Sequence, residues 1–290
     1  MQRRTFLRLT AATAIVPWVP LSGCDSDAIT YGPFEAEVRA RAEGLVLFDG
    51  SGRSYTIDLE ASEILSNDAQ GRSLGRIAEN AALNAPTSVC ATRDGTRFVL
   101  DRGTGSVLRL DENGRVDRLI GGAGDAPVTF AMPSDLDAGP DGLVYVADTL
   151  NHRIQVLDVE GRPVRSLGAP GVGPDELNAP RGVACARERV YVANSGNSRV
   201  DILSLDGAHL GSFEDVGQRF NPTGVATRGS GEVLVISTNE CALYVFDGDG
   251  ALVERRALQD ADGRSAHPIS ISVDPQSGAV VIGALPGRAA

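Results

Sequence analysis

The chain has 290 residues, with 38 acidic side chains against 27 basic ones and a net charge of -11 at pH 7. A negative surface opposes binding to the phosphate backbone of DNA or RNA, so nucleic acid is not an expected partner. All 27 basic residues are arginine, which excludes a Schiff-base lysine and the lysine of a phosphate-binding P-loop.

Residues 1–23 have the pattern of a cleaved export signal. Arg3 and Arg4 precede a short apolar stretch that ends in small residues. This stretch is shorter than the roughly 20 residues of a membrane-spanning helix, and it contains Pro17 and Pro20. We therefore expect an export signal here rather than a permanent membrane helix.

Two motifs in this segment resemble known targeting sequences. The run from Gln2 to Arg8 resembles a twin-arginine signal, and Leu21-Ser22-Gly23-Cys24 resembles a bacterial lipobox. The resemblance implies export of the folded protein, cleavage before Cys24 and lipidation of that cysteine. Several acyl chains would hold the protein on the outer, periplasmic side of the cytoplasmic membrane, with residues 24–32 as a linker.

One sequence pattern repeats from residue 33 to the end of the chain. A proline follows a short polar loop, and then come a strand of alternating apolar and polar residues, a turn and a second strand that ends in Asp, Asn or Ser. The pattern recurs about every 45 residues, which is typical of a β-propeller blade. The prolines that mark it are Pro33, Pro86, Pro133, Pro180, Pro222 and Pro268.

Apolar runs at 46–49, 98–101, 144–148 and 190–194 predict the second strand of each repeat, buried between neighbouring blades. Third strands are predicted to follow, the first of them at 55–59. Asp-x-x-Gly sequences such as 111–114 then predict tight hairpin turns. Pro163 indicates an outermost strand, where a missing N–H does no harm. The stretch 62–83 is interpreted as a longer insert with a possible helical turn.

The sequence Asn151-His152-Arg153, after Val146-Ala147-Asp148, closely resembles the signature of NHL repeats. Asn197-Ser198-Arg199 is a second copy, and the other four repeats lack the Asn-x-Arg core. The resemblance implies a six-bladed β-propeller over residues 33–290. It says little about function, since this fold serves enzymes, sensors and scaffolds.

The blade count depends on how the ring closes. Six proline starts favour six blades, but the last start leaves room for only two strands, so the last blade is expected to be incomplete. The alternative is a five-bladed ring in which residues 49–52 form the outer turn of the last blade. If no strand from the N-terminal segment folds back, the strand at 280–284 is an open edge.

Four side chains after predicted strands form a candidate metal site. If they surround the mouth of the propeller, their oxygens suit a hard cation such as Ca²⁺. The alternative is that each one accepts N–H groups of its own turn. No other cofactor is expected. The four residues are Asp49, Asp101, Asp148 and Asn194.

A second candidate site takes an anionic or amphoteric ligand. Arg181 follows Pro180 directly and is placed at the mouth, with Asp135 and Arg219 as neighbours that favour bidentate contacts. The alternative is a surface ion-pair cluster. Among the three histidines, the repeat places only His267 at the mouth. A single histidine is too few for a zinc site, which needs about three protein ligands.

The sequence thus favours a non-catalytic binding or scaffold module for a protein or peptide. Contact would be through the mouth loops or by strand addition at the open edge. The rival interpretation is a metal-assisted hydrolase or lyase that uses the acidic residues with His267, so whether the protein is an enzyme stays open. Cys90, Cys185 and Cys241 are expected to be small buried side chains, although one disulfide is possible.

Overall fold

A computed structural model describes residues 45–122, 128–213, 220–259 and 265–285. Arg3, Arg4, Cys24 and Arg219 lie outside these ranges, as do the predicted signal and linker. Apart from two 3-10 turns, Thr149–Asn151 and Ser195–Asn197, the described elements are β-strands. None of the described helical segments has the length and apolar composition needed to cross a membrane.

Five four-stranded antiparallel sheets, here called blades 1 to 5, follow one another along the chain. Blade 1 contains β1 (Leu45–Phe48), β2 (Ser54–Asp58), β3 (Glu63–Asn67) and β4 (Ser73–Ile77). Blade 2 contains β5 (Pro86–Ala91), β6 (Arg97–Asp101), β7 (Ser106–Leu110) and β8 (Val116–Gly121). Blade 3 contains β9 (Pro133–Ala138), β10 (Val144–Asp148), β11 (Arg153–Leu157) and β12 (Pro163–Leu167).

A short parallel pair, β13 (Ala169–Pro170) and β14 (Glu176–Leu177), lies in the connection between blades 3 and 4. Blade 4 contains β15 (Pro180–Ala186), β16 (Arg189–Asn194), β17 (Arg199–Ser204) and β18 (His209–Phe213). Blade 5 contains β19 (Pro222–Thr227), β20 (Val233–Ser237), β21 (Ala242–Phe246) and β22 (Leu252–Ala257). A sixth sheet has two strands, β23 (His267–Val273) and β24 (Val280–Leu285).

The first strand of each sheet packs against the first strand of the next, so six innermost strands surround a central axis. The ring closes because β23 and β24 pack against β1. The Phe48 N–H donates to Ser272 Oγ at 2.9 Å across this junction. The protein is therefore an all-β propeller with five complete blades and an incomplete sixth sheet. An incomplete last blade was expected, whereas six complete blades are not shown by the described residues.

The core lies between the faces of adjacent sheets. All five residues of β20 and of β21 are buried, as expected for strands covered on both sides. Aromatic side chains fill the space between blades 4 and 5, where Phe213 stacks on Phe246 with ring centroids 4.7 Å apart. Phe220 meets the Tyr244 ring edge-on at 5.0 Å. Such packing fixes each blade against its neighbour.

The proline markers are confirmed from blade 2 onwards. Pro86, Pro133, Pro180 and Pro222 begin the innermost strands, and Pro268 is the second residue of β23. The register shifts directly after each proline, so the following residue lies in a β-bulge at the end of the strand.

The interpretation of the first repeat is wrong by one strand. The predicted second strand at 46–49 is the innermost strand β1 followed by a turn, and the predicted third strand at 55–59 is β2. The supposed insert at 62–83 contains β3 and β4. The run at 46–49 misled because, like the second strands of the later repeats, it is an apolar stretch that ends in an aspartate before a turn.

Candidate functional site at the mouth of the propeller

In blades 2 to 5 the second turn and the connection that enters the blade meet on one face, here called the mouth. A side chain at the end of the second strand accepts the backbone N–H of a residue just before the blade's first strand. These bonds hold the connecting loops on the blades. The pairs are Asp101 with Asn84 (2.9 Å), Asp148 with Ala131 (2.7 Å), Asn194 with Asn178 (2.8 Å) and Ser237 with Asn221 (3.1 Å).

Three of the four predicted metal ligands thus lie at equivalent positions of neighbouring blades, each bound to its own loop. The structure does not bring Asp49 to them. Asp49 lies in the β1–β2 turn on the opposite face, where its Oδ2 accepts the Tyr55 hydroxyl at 2.7 Å. Its Oδ1 accepts the N–H groups of Ser51 and Arg53. Within the described ranges, no three His, Cys, Asp or Glu side chains are grouped to hold a metal ion.

In blade 3 the carboxylate of Asp148 is the centre of the NHL-like signature. This side chain is fully buried, and its Oδ2 accepts Asn151 Nδ2 at 2.8 Å and Arg153 Nε at 2.9 Å. Arg153 Nη2 also donates to the carbonyl of Thr129 in the preceding loop, at 3.1 Å. A buried carboxylate with this many donors is fully paired, so the signature residues stabilise the loop.

Blade 4 has a similar arrangement, but its buried carboxylate belongs to a residue of the third strand. Asn194 replaces the aspartate and donates from Nδ2 to Asp201 Oδ2 at 2.6 Å, while Arg199 Nε donates to Asp201 Oδ1 at 2.7 Å. Asp201 is buried, and this desolvation raises the pKa of its carboxyl. Arg199 Nη2 also donates to the carbonyls of Gly173 (2.6 Å) and Glu176 (3.1 Å), so the loop before blade 4 is held by backbone contacts.

Blade 2 has the aspartate without the arginine. Ser106 occupies the position of Arg153 at the start of the third strand, since it pairs with Asp101 as Arg153 pairs with Asp148. Asp101 Oδ2 accepts the Asn84 N–H, whereas its buried Oδ1 has no hydrogen-bond partner among the described residues. The three equivalent side chains are Asp101, Asp148 and Asn194. Among the described residues, Asp101 Oδ1 is the one oxygen of these side chains that accepts no hydrogen bond.

Arg181 is in the bulge that follows Pro180, at the mouth end of β15. Its side chain is exposed, and the guanidinium makes no hydrogen bond or ion pair within the described part of the chain. Asp135, its predicted neighbour, accepts Ser88 Oγ at 2.9 Å and the Val183 N–H at 3.1 Å instead. The structure therefore places both residues on adjacent innermost strands without pairing them.

Asp135 and Asp137 form a pair of carboxyls beside the central axis. Both lie on β9 and accept edge N–H groups of β15, Asp137 from Cys185 at 2.7 Å. Burial, with a smaller effect of the Asp137 charge, raises the pKa of Asp135 to about 7. Burial raises the pKa of Asp137 to about 6. Asp137 was not among the predicted site residues, although acids at alternate positions after Pro133 are the signal for it.

His267 and Cys241 lie together where the sixth sheet meets blade 5. His267 is exposed, and its Nδ1 is 3.3 Å from Cys241 Sγ. Burial raises the pKa of this thiol, which opposes formation of a reactive thiolate. Cys90, Cys185 and Cys241 are all free thiols. His152, in the signature of blade 3, accepts the Ala179 N–H on Nδ1 at 3.1 Å.

Large apolar side chains are exposed at the mouth beside these polar contacts. Val172 is 75% exposed, Leu150 53%, Met132 47% and Ile269 39%. All four lie in second turns, in bulges or in the loops between blades. The mouth therefore combines loops that buried hydrogen bonds hold in place with exposed apolar side chains, and with an arginine that makes no hydrogen bond or ion pair within the described ranges.

Residues 130–157, which span β9 to β11 of blade 3, match the sequence model of the NHL repeat. The chain is 27% identical over 207 residues to NHL repeat-containing protein 3 of Mus musculus, with 64% of this chain and 58% of that protein covered. It is also 27% identical over 129 residues to Protein brain tumor of Drosophila melanogaster, with 43% and 12% covered. The matches thus span less than two thirds of the length of these curated relatives.

Solved structures with the same fold serve different functions. A streptogramin B lyase superposes with a TM-score of 0.62 at 12% identity, covering 87% of this chain and 93% of the lyase. A gluconolactonase of Xanthomonas campestris gives 0.63 at 16%, covering 83% and 84%. A chain of the nidogen/laminin complex gives 0.60 at 15%, covering 78% and 82%. With the repeat match, these similarities show that the protein is a β-propeller that carries an NHL repeat.

Proposed function

We propose that the protein is a non-catalytic binding or scaffold module that recognises a protein or peptide at the mouth of its propeller. The observation that carries this proposal is the contrast at the mouth. Asp148 and Arg153 hold a loop, while Arg181 makes no hydrogen bond or ion pair within the described part of the chain. Large apolar side chains of the mouth are exposed beside them. Rigid loops that present unpartnered side chains are typical of binding surfaces.

One structural neighbour and one relative support contact with a protein. The nidogen/laminin neighbour belongs to a complex between proteins. NHL repeat-containing protein 3 of Mus musculus has the same kind of repeat. The edge of β24 is a second surface for contact, because no third strand pairs with it in the described part of the sixth sheet. An extended peptide adds to such an edge through main-chain hydrogen bonds.

The lipid anchor is part of the proposal. Its support is the sequence order of Arg3, Arg4 and the lipobox-like motif that ends at Cys24. Labelling cells with a radioactive fatty acid tests it. We expect label on the wild-type chain and none on Cys24→Ala, and we expect Arg3→Lys with Arg4→Lys to block export. Equal labelling of the wild type and Cys24→Ala would contradict lipidation at this cysteine.

Affinity purification of the full chain from detergent-solubilised membranes tests the binding function. The expected result is a stoichiometric protein partner that is lost when mouth residues are changed and retained by a variant of an outer-strand residue such as Leu74. Repeated recovery of the lone protein, from cells in several growth states, would contradict the scaffold function.

The second candidate is a metal-assisted hydrolase or lyase. The observation in its favour is the buried Oδ1 of Asp101, a free acceptor at the mouth. Metal analysis of the purified protein separates the two functions. Bound Ca²⁺ or Zn²⁺ that is lost in Asp101→Ala but retained in Asp49→Ala would support the enzyme, because Asp49 lies on the opposite face. Protein that is free of metal after dialysis against Ca²⁺ and Zn²⁺ would rule out this site.

A further inference from the structure

Equivalent positions of different blades can be compared, and at the mouth this comparison shows where the residue of one blade differs from those of the others. The first such position is the residue before the proline, which has a positive φ in blades 2, 3 and 4. It is alanine in two of them, Ala85 and Ala179. In blade 3 it is Met132, whose side chain is 47% exposed. This methionine replaces the small residue of the sister repeats without being buried.

The second position is in the turn after the second strand. It is glycine in blades 2 and 4, where a Cβ would clash: on Gly103 it would lie 2.2 Å from Asn84 O, and on Gly196 it would lie 2.5 Å from Asn178 Cγ. Blade 3 has Leu150 here, and Ala131 replaces the loop asparagine. The alanine lacks the Cγ that such a Cβ would meet but keeps the backbone carbonyl, and the leucine beside it is 53% exposed.

The third position is the bulge residue after the proline. Blades 2, 3 and 5 have a small hydroxyl side chain here: Thr87, Ser134 and Thr223. Blade 4 has Arg181, and its exposed guanidinium is unpartnered within the described ranges. A bulge turns a side chain away from the regular strand, which directs this arginine to the mouth.

These three departures adjoin one another across blades 3 and 4. The Leu150 N–H donates to Ala131 O at 2.9 Å, which places Leu150 beside Met132. Thr149 Oγ1 donates to Ser134 Oγ at 2.8 Å, and Ser134 Oγ donates to Arg181 O at 2.7 Å. One short hydrogen-bond chain therefore connects the leucine turn to the arginine bulge.

We propose that Met132, Leu150 and Arg181, here called the blade 3–4 patch, bind an acidic side chain of a partner peptide that is flanked by a bulky apolar residue. The inference rests on the proposed function and specifies its ligand. A guanidinium binds a carboxylate through two parallel hydrogen bonds, and the adjoining apolar pair removes the flanking side chain from water. On a protein of net charge -11, an exposed arginine without a partner among the described residues attracts a single carboxylate, whereas the overall charge opposes a generally acidic surface.

Selection of a random heptapeptide display library on the detergent-solubilised full chain tests this proposal. Enriched peptides are expected to contain Asp or Glu next to Leu, Met, Ile or Phe. One enriched peptide, acetylated and amidated at its ends, then serves as the probe for affinity measurements.

The variants restore the residues of the sister blades: Arg181→Thr, Met132→Ala and Leu150→Gly. We expect Arg181→Thr to weaken binding about tenfold or more and to remove its salt dependence, since charged hydrogen bonds are lost. Met132→Ala with Leu150→Gly should weaken binding about tenfold while the salt dependence remains. The control, Leu74→Thr, removes an exposed apolar side chain of the outer strand β4, away from the mouth, and should leave affinity unchanged. Thermal unfolding of each variant verifies the fold.

The outcomes separate this inference from the proposed function. Enrichment of basic peptides, or equal affinity for the wild type and Arg181→Thr, would overturn the inference and leave the binding function standing. If no peptide is enriched but a stoichiometric partner is recovered from membranes, the inference is likewise overturned and the binding function stands. No enriched peptide and no partner would overturn both.

Discussion

Blades 3 and 4 both hold the loop that precedes them with an arginine and a buried carboxylate, but the carboxylate lies in a different strand of each blade. Blade 3 puts the carboxylate at the end of the second strand, where Asp148 accepts from Asn151 and Arg153. Blade 4 has an amide there and moves the carboxylate to Asp201 in the next strand, 2.6 Å from Asn194. In both blades the signature arginine has one buried carboxylate and also contacts the preceding loop. The signature therefore requires a charge within reach of its arginine, not an aspartate at one position.

The largest expected effect comes from removing the carboxylate of blade 3. Asp148→Ala leaves Arg153, Asn151 and the Ala131 N–H without their shared acceptor, so we expect the free energy of unfolding to fall by about 3–5 kcal/mol. Chemical denaturation measures the loss. An effect below about 1 kcal/mol would show that the buried pair does not stabilise the blade.

The next effect tests whether the charge can be moved within blade 4. Asn194→Asp places a second carboxylate beside Asp201, and we expect a loss of about 1–3 kcal/mol from repulsion and desolvation. Adding Asp201→Asn recreates the order of blade 3 and should recover most of the loss, which a double-mutant cycle measures as coupling. If the two effects simply add, the positions are independent and the comparison between the blades fails.

The carboxyls at the central axis are expected to make stability depend on pH near neutrality, unlike the paired carboxylates at the mouth. Burial raises the pKa of Asp135 to about 7 and of Asp137 to about 6, so the folded state binds protons more tightly than the unfolded chain. Their contribution to stability is complete below about pH 4, the unfolded value, and is lost as pH rises through 6 and 7.

Asp135→Asn keeps an acceptor and removes this titration. We expect the stability difference between this variant and the wild type to change by about 1–2 kcal/mol from pH 5 to pH 8, with the wild type losing more. Unfolding curves across this range measure the change, and Asp68→Asn, at an exposed turn, is the control. Parallel pH profiles for the wild type and Asp135→Asn would contradict the assignment.

The smallest effect is expected in blade 2, where no signature arginine is present. Asp101→Asn retains the acceptor for the Asn84 N–H and removes the charge from an oxygen that has no partner among the described residues. We expect a change within about 0.5 kcal/mol, or a slight gain in stability. Asp148→Asn is the matched variant and should cost more, because Arg153 loses its charged partner. Equal losses in both blades would remove the distinction between signature and degenerate repeats.

Much of the fold was predictable because its signals are local. Prolines at the starts of the innermost strands and Asp-x-x-Gly hairpins depend only on backbone geometry, and they placed blades 2 to 5 correctly. The same locality caused the error in blade 1. The run at 46–49 is apolar and ends in an aspartate, as the second strands of blades 2 and 3 do, and nothing local distinguishes an innermost strand from a second strand.

The sites were predictable only in part. The sequence predicted that Arg181, Asp148 and Asn194 lie at the mouth, where the structure has them, while their roles in binding stay predictions. It also predicted Asp135 as a neighbour of Arg181 in one ligand site, and the structure shows the Asp135 carboxylate accepting the N–H of Val183 on the neighbouring strand. An innermost strand has unpaired N–H groups on its axial edge, and the choice of which side chain satisfies them depends on how two blades meet.

The sequence by itself determined the period, the strand order within blades 2 to 5 and the abundance of negative charge, because each follows from neighbouring residues. Only the tertiary structure decided that Asp49 lies on the opposite face, that Asp201 serves the arginine of blade 4, and that Met132, Leu150 and Arg181 adjoin. The first two relations depend on which strand or turn of a blade each residue occupies, and the third joins two blades, so all of them follow from the arrangement of whole blades around the axis.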